Sequence, residues 1–438
     1  MRERAKFKSS LGMLLALVGS AIGLGNLWRF PYVVGNNGGA AFIIIYLVVV
    51  ALICLPVMVA EFVIGRRARA NAYSAYDKFA PKTKWKYVGL LGVITALIID
   101  SFYCVVGGWT VSYLFHSFCF DVTTETTGQS AAMFSALSSD TSQNLIYMLI
   151  FLGLTCGVVM LGVQKGIERS CKYLITILAV LIVAIMINSL TLEGSSEGLK
   201  FLFKPDFSKV TFKTILYAMG QGFFSLSLGC CCVLTYASYA PHKDNLLKTT
   251  SLTVTSDVLF ALIAGAAILP AVFAFGISPT EGAGLAFITL PEVFGQMAMG
   301  KVIAVFFYFV LFAAAISSSI SLLEIVVAYI MEIFSFKRIK AVVISSVIMI
   351  ALGICCAVWG SIFNLFDYIS ANILMTTGGF LVALFVGWKI TRKDFEDEIT
   401  SSGMHKVPKW LLVTLRFLIR YVAPIGVAAV MISSLAGL

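Results

Sequence analysis

The chain has 438 residues, of which 59% are hydrophobic and 12% charged, and its 32 Lys and Arg exceed its 22 Asp and Glu, for a formal net charge of +10. Soluble globular proteins carry about 25% charged residues, so the charge here is too sparse to cover a water-facing surface. The composition predicts an integral membrane protein. It excludes a disordered chain, a disulfide scaffold and a nucleic-acid-binding protein, whose positive charge would cluster on one face.

The N-terminus is basic and leads into a long apolar run, a pattern shared with signal peptides. The run lacks a small-x-small cleavage site and continues to Pro31, which predicts a retained first span. The ten cysteines indicate no metal centre, because nine lie in apolar stretches, where cysteine acts as a small hydrophobe. The three histidines are not at ligand spacing, so neither structural zinc nor an enzyme site is expected.

Continuous apolar stretches of about 20 residues are long enough to cross a bilayer as helices, whereas a β-barrel would show short alternating segments. The sequence therefore predicts an all-α integral membrane protein with eleven transmembrane helices. They cover roughly 11–33, 40–64, 88–115, 145–163, 172–190, 214–236, 252–276, 301–334, 341–360, 363–388 and 410–436.

The Lys and Arg bias of short loops sets the orientation. The basic loops alternate along the chain and are predicted to be cytoplasmic: the N-terminal tail, 66–86, 165–169, 242–248, 337–340 and 389–409. Loops 116–144 and 277–300 carry acids and belong outside, whereas loop 191–213, with four lysines, disagrees with its external assignment. Eleven spans then place the N-terminus in the cytoplasm and the C-terminus outside.

The chain shows no linker, so 1–438 is predicted to be one transmembrane domain. Spans one and six are both interrupted by glycine, at 19–26 and 220–229. Close packing through small residues explains one such segment, but two at corresponding positions indicate a transporter binding site. Groups of five spans have opposite orientations, which predicts an inverted repeat of about 8–190 and 214–388, plus an extra helix at about 410–436.

Five motifs resemble those of the neurotransmitter:sodium symporter family: GLGNLWRFP at 23–31, NGG at 37–39, KGIER at 165–169, residues 221–229 and ITLP at 288–291. The resemblance covers about residues 8 to 424. It implies a leucine-transporter-like fold with broken helices 1 and 6, and sodium-coupled amino-acid symport into the cell by alternating access. Eleven spans are similar to the bacterial amino-acid branch, which implies the bacterial inner membrane.

The resemblance also implies two sodium sites. The first would use the Ala21 carbonyl, Asn26, Ser225, the substrate carboxylate and Asp257, or Ser256 if the alignment slips by one. The second would use the carbonyls of Gly19, Ile22 and Ala314 with the hydroxyls of Ser317 and Ser318. From the residues alone, the serine run fits helix packing equally well.

Asp257 is an acid within a span and is therefore a functional-site hypothesis, with helix capping as its alternative. Animal members of the family need chloride beside the first sodium, and Tyr46, Gln221 and Ser225 match part of that shell. An internal carboxylate could supply the same charge. We expect chloride not to be required, with proton antiport if the acid protonates in the empty carrier.

For the substrate, the resemblance places the amine and carboxylate against Ser20, Ala21, Leu24, Gly25, Tyr103, Phe224, Ser225 and Ser227. The side-chain pocket would be lined by Ile99, Asp100, Cys230, Ser318, Ser319 and Leu322. Cys230 stands where a related leucine transporter has a bulky Phe, so a large hydrophobic or aromatic amino acid is expected. Asp100 could instead be solvated or paired with a neighbouring helix.

The family's gates match two charge pairs. Arg29 and Asp367 correspond to the outer gate, and Arg4 and Glu332, with Tyr239 nearby, to the inner gate. Partly exposed pairs are worth only about 0–1 kcal/mol each, so they can open during transport. A channel lacks support because no filter-like repeat occurs, whereas a non-transporting sensor and a transporter of another amine stay open. The expected partners are a small-molecule amino acid and the lipid bilayer.

Overall fold

The computed structural model describes residues 5–124, 128–277 and 284–435, which form helices and no strand. The first half contains α1 Ser10–Ala21, α2 Gly25–Asn36, α3 Ala40–Ala68, α4 Ala72–Phe79, α5 Lys86–Phe118, α6 Gln129–Ser139, α7 Thr141–Met160, α8 Val163–Leu190 and α9 Ser195–Phe203. The second half contains α10 Phe212–Ser225, α11 Cys232–Ala237, α12 Leu246–Ala274, α13 Leu290–Gln296, α14 Gly300–Ile333, α15 Arg338–Val358, α16 Gly360–Lys389, α17 Arg392–Ile399 and α18 Lys409–Ser433.

The prediction of an all-helical membrane protein is confirmed, but the count of eleven spans is not established. In the described part of the chain, nine helices are long and apolar enough to cross a membrane, and the pair α1 and α2, bent by 52°, makes up to ten. The predicted span 214–236 forms α10 and α11, of 14 and 6 residues, which are separated by a turn, as expected for a broken sixth helix.

Short helices lie between the long ones, in segments that cannot cross a bilayer. Helix α4 begins where the Asn71 side chain accepts a hydrogen bond from the Ser74 amide, and α17 begins where Thr391 caps the Asp394 amide in the same way. A polar cap satisfies one of the amides that a helix start leaves free. These caps fix the starts of two helices whose apolar content is too small for a membrane span.

Helix α14 is at the centre of the bundle, where it packs against α5, α7, α8 and α15. Its middle, residues 313–319, consists of Ala, Ile and Ser side chains that are all buried. Small residues allow helix backbones to approach closely in membranes. Helices α1 and α5 therefore lie directly on α14, and the breaks between α1 and α2 and between α10 and α11 lie beside them.

The bundle has two ends. We name the end that holds Phe7, Glu168 and Tyr239 the N-terminal face. The N-terminal segment is attached to this end, since Phe7 donates its amide hydrogen to the Tyr239 carbonyl at 3.1 Å. The start of α5 belongs to this end, and the chain passes along α5 to the opposite face at Phe118. The two helix breaks lie between the faces.

Candidate functional site

The first break begins at Ile22, where the backbone leaves the helical region with φ −73° and ψ 97°. Four residues later, the Asn26 side chain turns back, and its Oδ1 accepts a hydrogen bond from the Gly23 amide at 3.2 Å. A side chain therefore replaces a helical hydrogen bond within the same segment. Asn26 is fully buried.

The second break separates Ser225 from Cys232, and three of its residues have positive φ: Ser227 at 50°, Gly229 at 84° and Cys231 at 63°. The Leu226, Ser227 and Leu228 amides donate to carbonyls of the preceding turn, whereas two further amides are satisfied from another helix. Glu61 of α3, itself fully buried, accepts from the Gly229 amide at 2.7 Å and from the Leu234 amide at 3.4 Å. The sequence analysis did not select Glu61, although a lone acid in the apolar run 40–64 was a usable signal.

The two breaks line one cavity. Every predicted substrate residue lines it except Asp100 and Ser319. The lining residues are Ser20, Ala21, Gly23, Leu24, Gly25, Asn26, Ile99, Tyr103, Phe224, Ser225, Ser227, Cys230, Ser318, Leu322 and Met375. Met375 of α16 was not predicted, because nothing in the sequence distinguishes it from other apolar residues of its span.

Asp100 and Ser319 lie behind the cavity wall and not in the side-chain pocket where the resemblance placed them. Ser319 Oγ donates to Asp100 Oδ1 at 2.8 Å, and both residues are fully buried. Of the alternatives open at the sequence level, pairing with a neighbouring helix is the one observed. Ser319 faces away from the cavity because its neighbour Ser318 on α14 faces toward it.

Several polar atoms at the cavity have hydrogen-bonding capacity to spare. Tyr103 Oη and Ser318 Oγ are buried without a hydrogen-bond partner, whereas Ser227 Oγ donates to the Ser20 carbonyl at 3.1 Å. Buried polar groups are rarely left unpaired. A ligand with donors and acceptors at one end and an apolar side chain at the other matches such a lining.

Three residues predicted for the first sodium ion meet at one edge of the cavity. Asn26 Nδ2 donates to Asp257 Oδ1 at 2.8 Å, and Ser225 Oγ lies 2.8 and 2.9 Å from the two carboxylate oxygens. Asp257, not Ser256, is the residue that makes these bonds, and it is fully buried. The Ala21 backbone lines the same cavity. Carboxylate, amide, hydroxyl and carbonyl oxygens are the hard ligands that suit a sodium ion.

The residues matched to a chloride shell lie near the same edge. Tyr46 Oη and Gln221 Oε1 are buried without hydrogen-bond partners. Gln221 Nε2 donates to the Gly25 carbonyl at 3.2 Å, which links α10 to the first break. The negative charge that this corner of the site contains is the carboxylate of Asp257.

The residues predicted for the second sodium ion lie where α1 ends against α14. A Cβ added at Gly19 would be 3.4 Å from Ser317 Cβ, and one added at Gly23 would be 2.8 Å from Ser318 Oγ. Ser317 Oγ donates to the Ala314 carbonyl at 3.0 Å. The hydroxyls therefore stand beside backbone that has left helical geometry at Ile22, and the unpartnered Ser318 oxygen can accept a cation.

The predicted outer pair is not formed. The half-buried Arg29 places its guanidinium over the Phe224 ring at 4.7 Å, whereas Asp367 is exposed. Among the ion pairs of the described residues, none joins these two. Arg29 covers one wall of the cavity through an aromatic contact, and Phe224 is one of the lining residues.

The predicted inner gate is described only in part. Arg4 lies outside the described residues, and Glu332 Oε2 accepts from the Asn71 amide at 2.8 Å. Tyr239 Oη donates to Glu324 Oε1 at 2.6 Å, and Glu324 is also paired with Arg338. Glu324 and Arg338 were not predicted, although an acid within the span 301–334 was again a usable signal.

The N-terminal segment seals this face. Phe7 is buried between Tyr236 and Tyr239, with ring centroids 5.9 and 6.2 Å away. Ser9 Oγ donates to Glu168 Oε1 at 2.8 Å, which links the start of α1 to α8. The cavity is therefore covered by packed aromatic rings and hydrogen bonds on the N-terminal face.

Comparisons with known proteins identify relatives of this chain. The model of the family described as "Sodium:neurotransmitter symporter family" matches residues 4–144 and 123–438. "Uncharacterized sodium-dependent transporter YhdH" of Bacillus subtilis is 36% identical over 99% of this chain and 98% of its own length. An "Uncharacterized sodium-dependent transporter" of Haemophilus influenzae is 33% identical over 99% of each chain. The crystal structure of MhsT in complex with L-phenylalanine has a TM-score of 0.90 and 39% identity, and the match covers 99% of this chain and 100% of MhsT.

Proposed function

Because the chain belongs to the sodium:neurotransmitter symporter family, we propose that it uses the sodium gradient to take up an amino acid by alternating access. Membership makes it a multi-pass, sodium-dependent membrane transporter and not an enzyme. The observation that carries the proposal is the cavity between the two breaks, with Asn26 and Ser225 both donating to Asp257 at its edge. A substrate in the cavity would therefore lie next to an oxygen-rich ion site.

The substrate class follows from the two ends of the cavity. Carbonyls at the breaks suit an ammonium group, and amides of unwound backbone with the Tyr103 hydroxyl suit a carboxylate. Ile99, Leu322 and Met375 give the remainder an apolar lining, and the small Cys230 leaves room. A large hydrophobic or aromatic amino acid fits these walls. MhsT, which has 39% identity, was crystallised in complex with L-phenylalanine.

Two sodium ions are part of the proposal. The first takes oxygens from Ala21, Asn26, Ser225, Asp257 and the substrate carboxylate, so that ion and substrate stabilise each other. The second takes the carbonyls of Gly19, Ile22 and Ala314 and the hydroxyls of Ser317 and Ser318. Burial of a cation between α1 and α14 would hold the broken helix against the bundle, and loss of that ion would release it.

Chloride is proposed to be unnecessary because Asp257 brings its own negative charge to the corner occupied by Tyr46 and Gln221. A fixed carboxylate beside the first sodium ion balances that ion's charge in a low-dielectric site. Transport should then be the same in chloride and in gluconate.

The proposed placement is a bacterial inner membrane, with the N-terminal face in the cytoplasm and the C-terminus outside. The two groups of five spans, about 8–190 and 214–388, would form the inverted repeat around the cavity, with 410–436 as the extra helix. Tyr239 and Glu332 then belong to the closed inner side. Arg29 and Asp367, which are apart in this structure, would approach each other when the outer side closes.

Uptake of radiolabelled amino acids into proteoliposomes tests the proposal, with an inward sodium gradient, an equal potassium gradient, or gluconate in place of chloride. Accumulation of a large apolar amino acid that needs sodium and ignores chloride is expected. A chloride requirement would overturn the role of Asp257 and leave sodium coupling intact. Sodium-dependent binding without accumulation would instead identify a sensor with this fold.

A further inference from the structure

Asp100 differs from the other acids buried within the described long helices in how few donors reach it. Ser319 Oγ donates to Oδ1 at 2.8 Å, and the Cys104 sulfur lies 3.9 Å from the same oxygen. Oδ2 is buried and has no hydrogen-bond partner. Asp100 lies in the middle of α5, so this oxygen is far from either end of the helix.

Three other buried acids receive more hydrogen bonds than Asp100. Ser225 contacts both oxygens of Asp257, and Asn26 adds a further donor. Glu61 has a backbone amide on each oxygen. Glu324 receives Tyr239 on one oxygen and Arg338 on both. Both oxygens of each of these carboxylates have a hydrogen-bond donor, whereas only Oδ1 of Asp100 has one.

Ionised Asp100 would be unfavourable in free energy in this buried environment. The effective cost of burying one ion is several kcal/mol, and one hydroxyl donor recovers only a part of it. A neutral carboxyl leaves one polar group unpaired, which costs about 1–3 kcal/mol. Among the described ion pairs, no Lys, Arg or His contacts Asp100. The free carboxylate anion is therefore the less stable form, and Asp100 should hold a cation, either a proton or a metal ion.

The atoms around Asp100 suit a proton better than a metal ion. Hard metal ions take about six oxygen ligands, but the contacts of Asp100 comprise its own two oxygens, the Ser319 hydroxyl and a soft sulfur at Cys104. A proton needs only the free Oδ2. The other titratable side chains that act on Asp100 are Tyr103 on α5 and Cys156 on α7, and neither is a cation.

The cavity is one layer of side chains away. Ile99 precedes Asp100, Tyr103 follows it by one turn of α5, and both line the cavity. On α14, Ser318 lines the cavity next to the Ser319 that bonds Asp100. Water that enters the open cavity can therefore reach the shell around this acid when these side chains move.

We propose that Asp100 is a proton-binding site that exchanges its proton with cavity water during the transport cycle. In the closed cavity, the proton is on Oδ2 and the acid is neutral. When the cavity fills with water, the O–H bond breaks, the proton passes to a water molecule, and the carboxylate keeps its bond from Ser319. This role rests on the proposed transport function and is separate from that of Asp257.

Infrared spectroscopy of the purified protein in lipid tests the proton directly and does not depend on transport. The wild type at neutral pH should show the carbonyl stretch of a protonated carboxyl, and Asp100→Asn should remove that band. The band should persist in Asp257→Asn. An unchanged band in Asp100→Asn, or its absence in the wild type, would overturn the proposal.

Proteoliposomes that contain a pH-sensitive dye test the exchange. Wild-type protein should move protons when substrate and sodium are added, and Asp100→Asn should lose that signal while its sodium-dependent substrate affinity stays within about threefold. Equal proton movement in both proteins would contradict the exchange. Wild type that binds and accumulates substrate without any proton movement would also overturn it, whereas wild type that does not accumulate substrate at all would refute the proposed function instead.

Discussion

The two helix breaks differ in the side chain that accepts from their otherwise free amides. At the first break the partner is local: Asn26 accepts from the Gly23 amide three residues away. At the second break the partner comes from another helix: Glu61 of α3 accepts from the Gly229 and Leu234 amides. Free backbone groups in the hydrocarbon region cost several kcal/mol each, so each of these acceptors stabilises its break.

The two breaks therefore differ in role: the first is linked to the proposed sodium site, and the second to helix packing. Asn26 also donates to Asp257 and lines the cavity, so the first break is bonded to the proposed sodium site. The second break is pressed between α3 and α16, because a Cβ added at Gly229 would lie 2.0 Å from the Met375 carbonyl. Changes at the second break should therefore damage folding, and changes at the first should damage sodium coupling.

Gly229→Ala should have the largest effect. At φ 84°, a non-glycine residue has strain of about 1–3 kcal/mol, and overpacking against the α16 backbone adds about 1–3 kcal/mol. We expect little folded protein and no uptake, as measured by size-exclusion chromatography in detergent and by proteoliposome assay. Gly153→Ala in α7, where an added Cβ meets nothing within 4 Å, is the matched control and should behave as wild type.

Glu61→Ala should rank second. It leaves the Gly229 and Leu234 amides without acceptors, at about 1–3 kcal/mol for each. Thermal unfolding in detergent should shift to lower temperature, with the midpoint of Glu61→Gln in between, because glutamine keeps one carbonyl oxygen. Equal midpoints for Glu61→Ala and wild type would show that the second break has another support.

Asn26→Ala should leave folding largely intact and weaken sodium binding. It removes a donor from Asp257 and one oxygen from the proposed ion site, and the sodium concentration for half-maximal uptake should rise at least tenfold, or about 1.4 kcal/mol. Ser256→Ala alters the half-buried neighbour of Asp257 and is the control. If both variants shifted the sodium dependence alike, the assignment of Asp257 would be wrong.

Gly23→Ala should have the smallest effect of the four. The added Cβ would be 2.8 Å from Ser318 Oγ and 3.5 Å from Tyr103 Oη, so the short Ser318 side chain must shift. We expect the sodium half-saturation to rise by about threefold. Ser318→Ala removes the clashing oxygen, so the double variant should be less impaired than the sum of the single changes. Additive effects would place Ser318 away from the second sodium site.

How much the sequence predicts depends on whether a feature is local. The glycines at 19–26 and the polar Asn26 predict the first break, because its partners lie within a few residues. The positions of the long helices also follow from apolar runs, since each run must fill the bilayer. Glu61 could have been marked as an acid within a span, but its task depends on how α3 packs on the second break.

The rest of the site depends on tertiary contacts that no pattern encodes. Asp100 follows the cavity-lining Ile99 in the sequence, yet its carboxylate turns to Ser319 because α14 offers a hydroxyl there. Met375 enters the cavity through the packing of α16 against Gly229. The outer pair shows a further limit, since Arg29 contacts Phe224 and does not pair with Asp367, a contact that the sequence pattern does not encode.

Equilibrium binding of radiolabelled L-phenylalanine to the purified protein, in sodium chloride and in potassium chloride at equal ionic strength, measures whether substrate binding depends on the sodium ion. In the proposed site, the substrate carboxylate is shared with the first sodium ion and would couple the binding of the two ligands, and such coupling is typically about 5–150-fold. We predict at least tenfold tighter binding in sodium, with the difference lost in Asn26→Ala. Binding of equal strength in the two salts would contradict the account, because the two breaks would then hold a substrate without the ion.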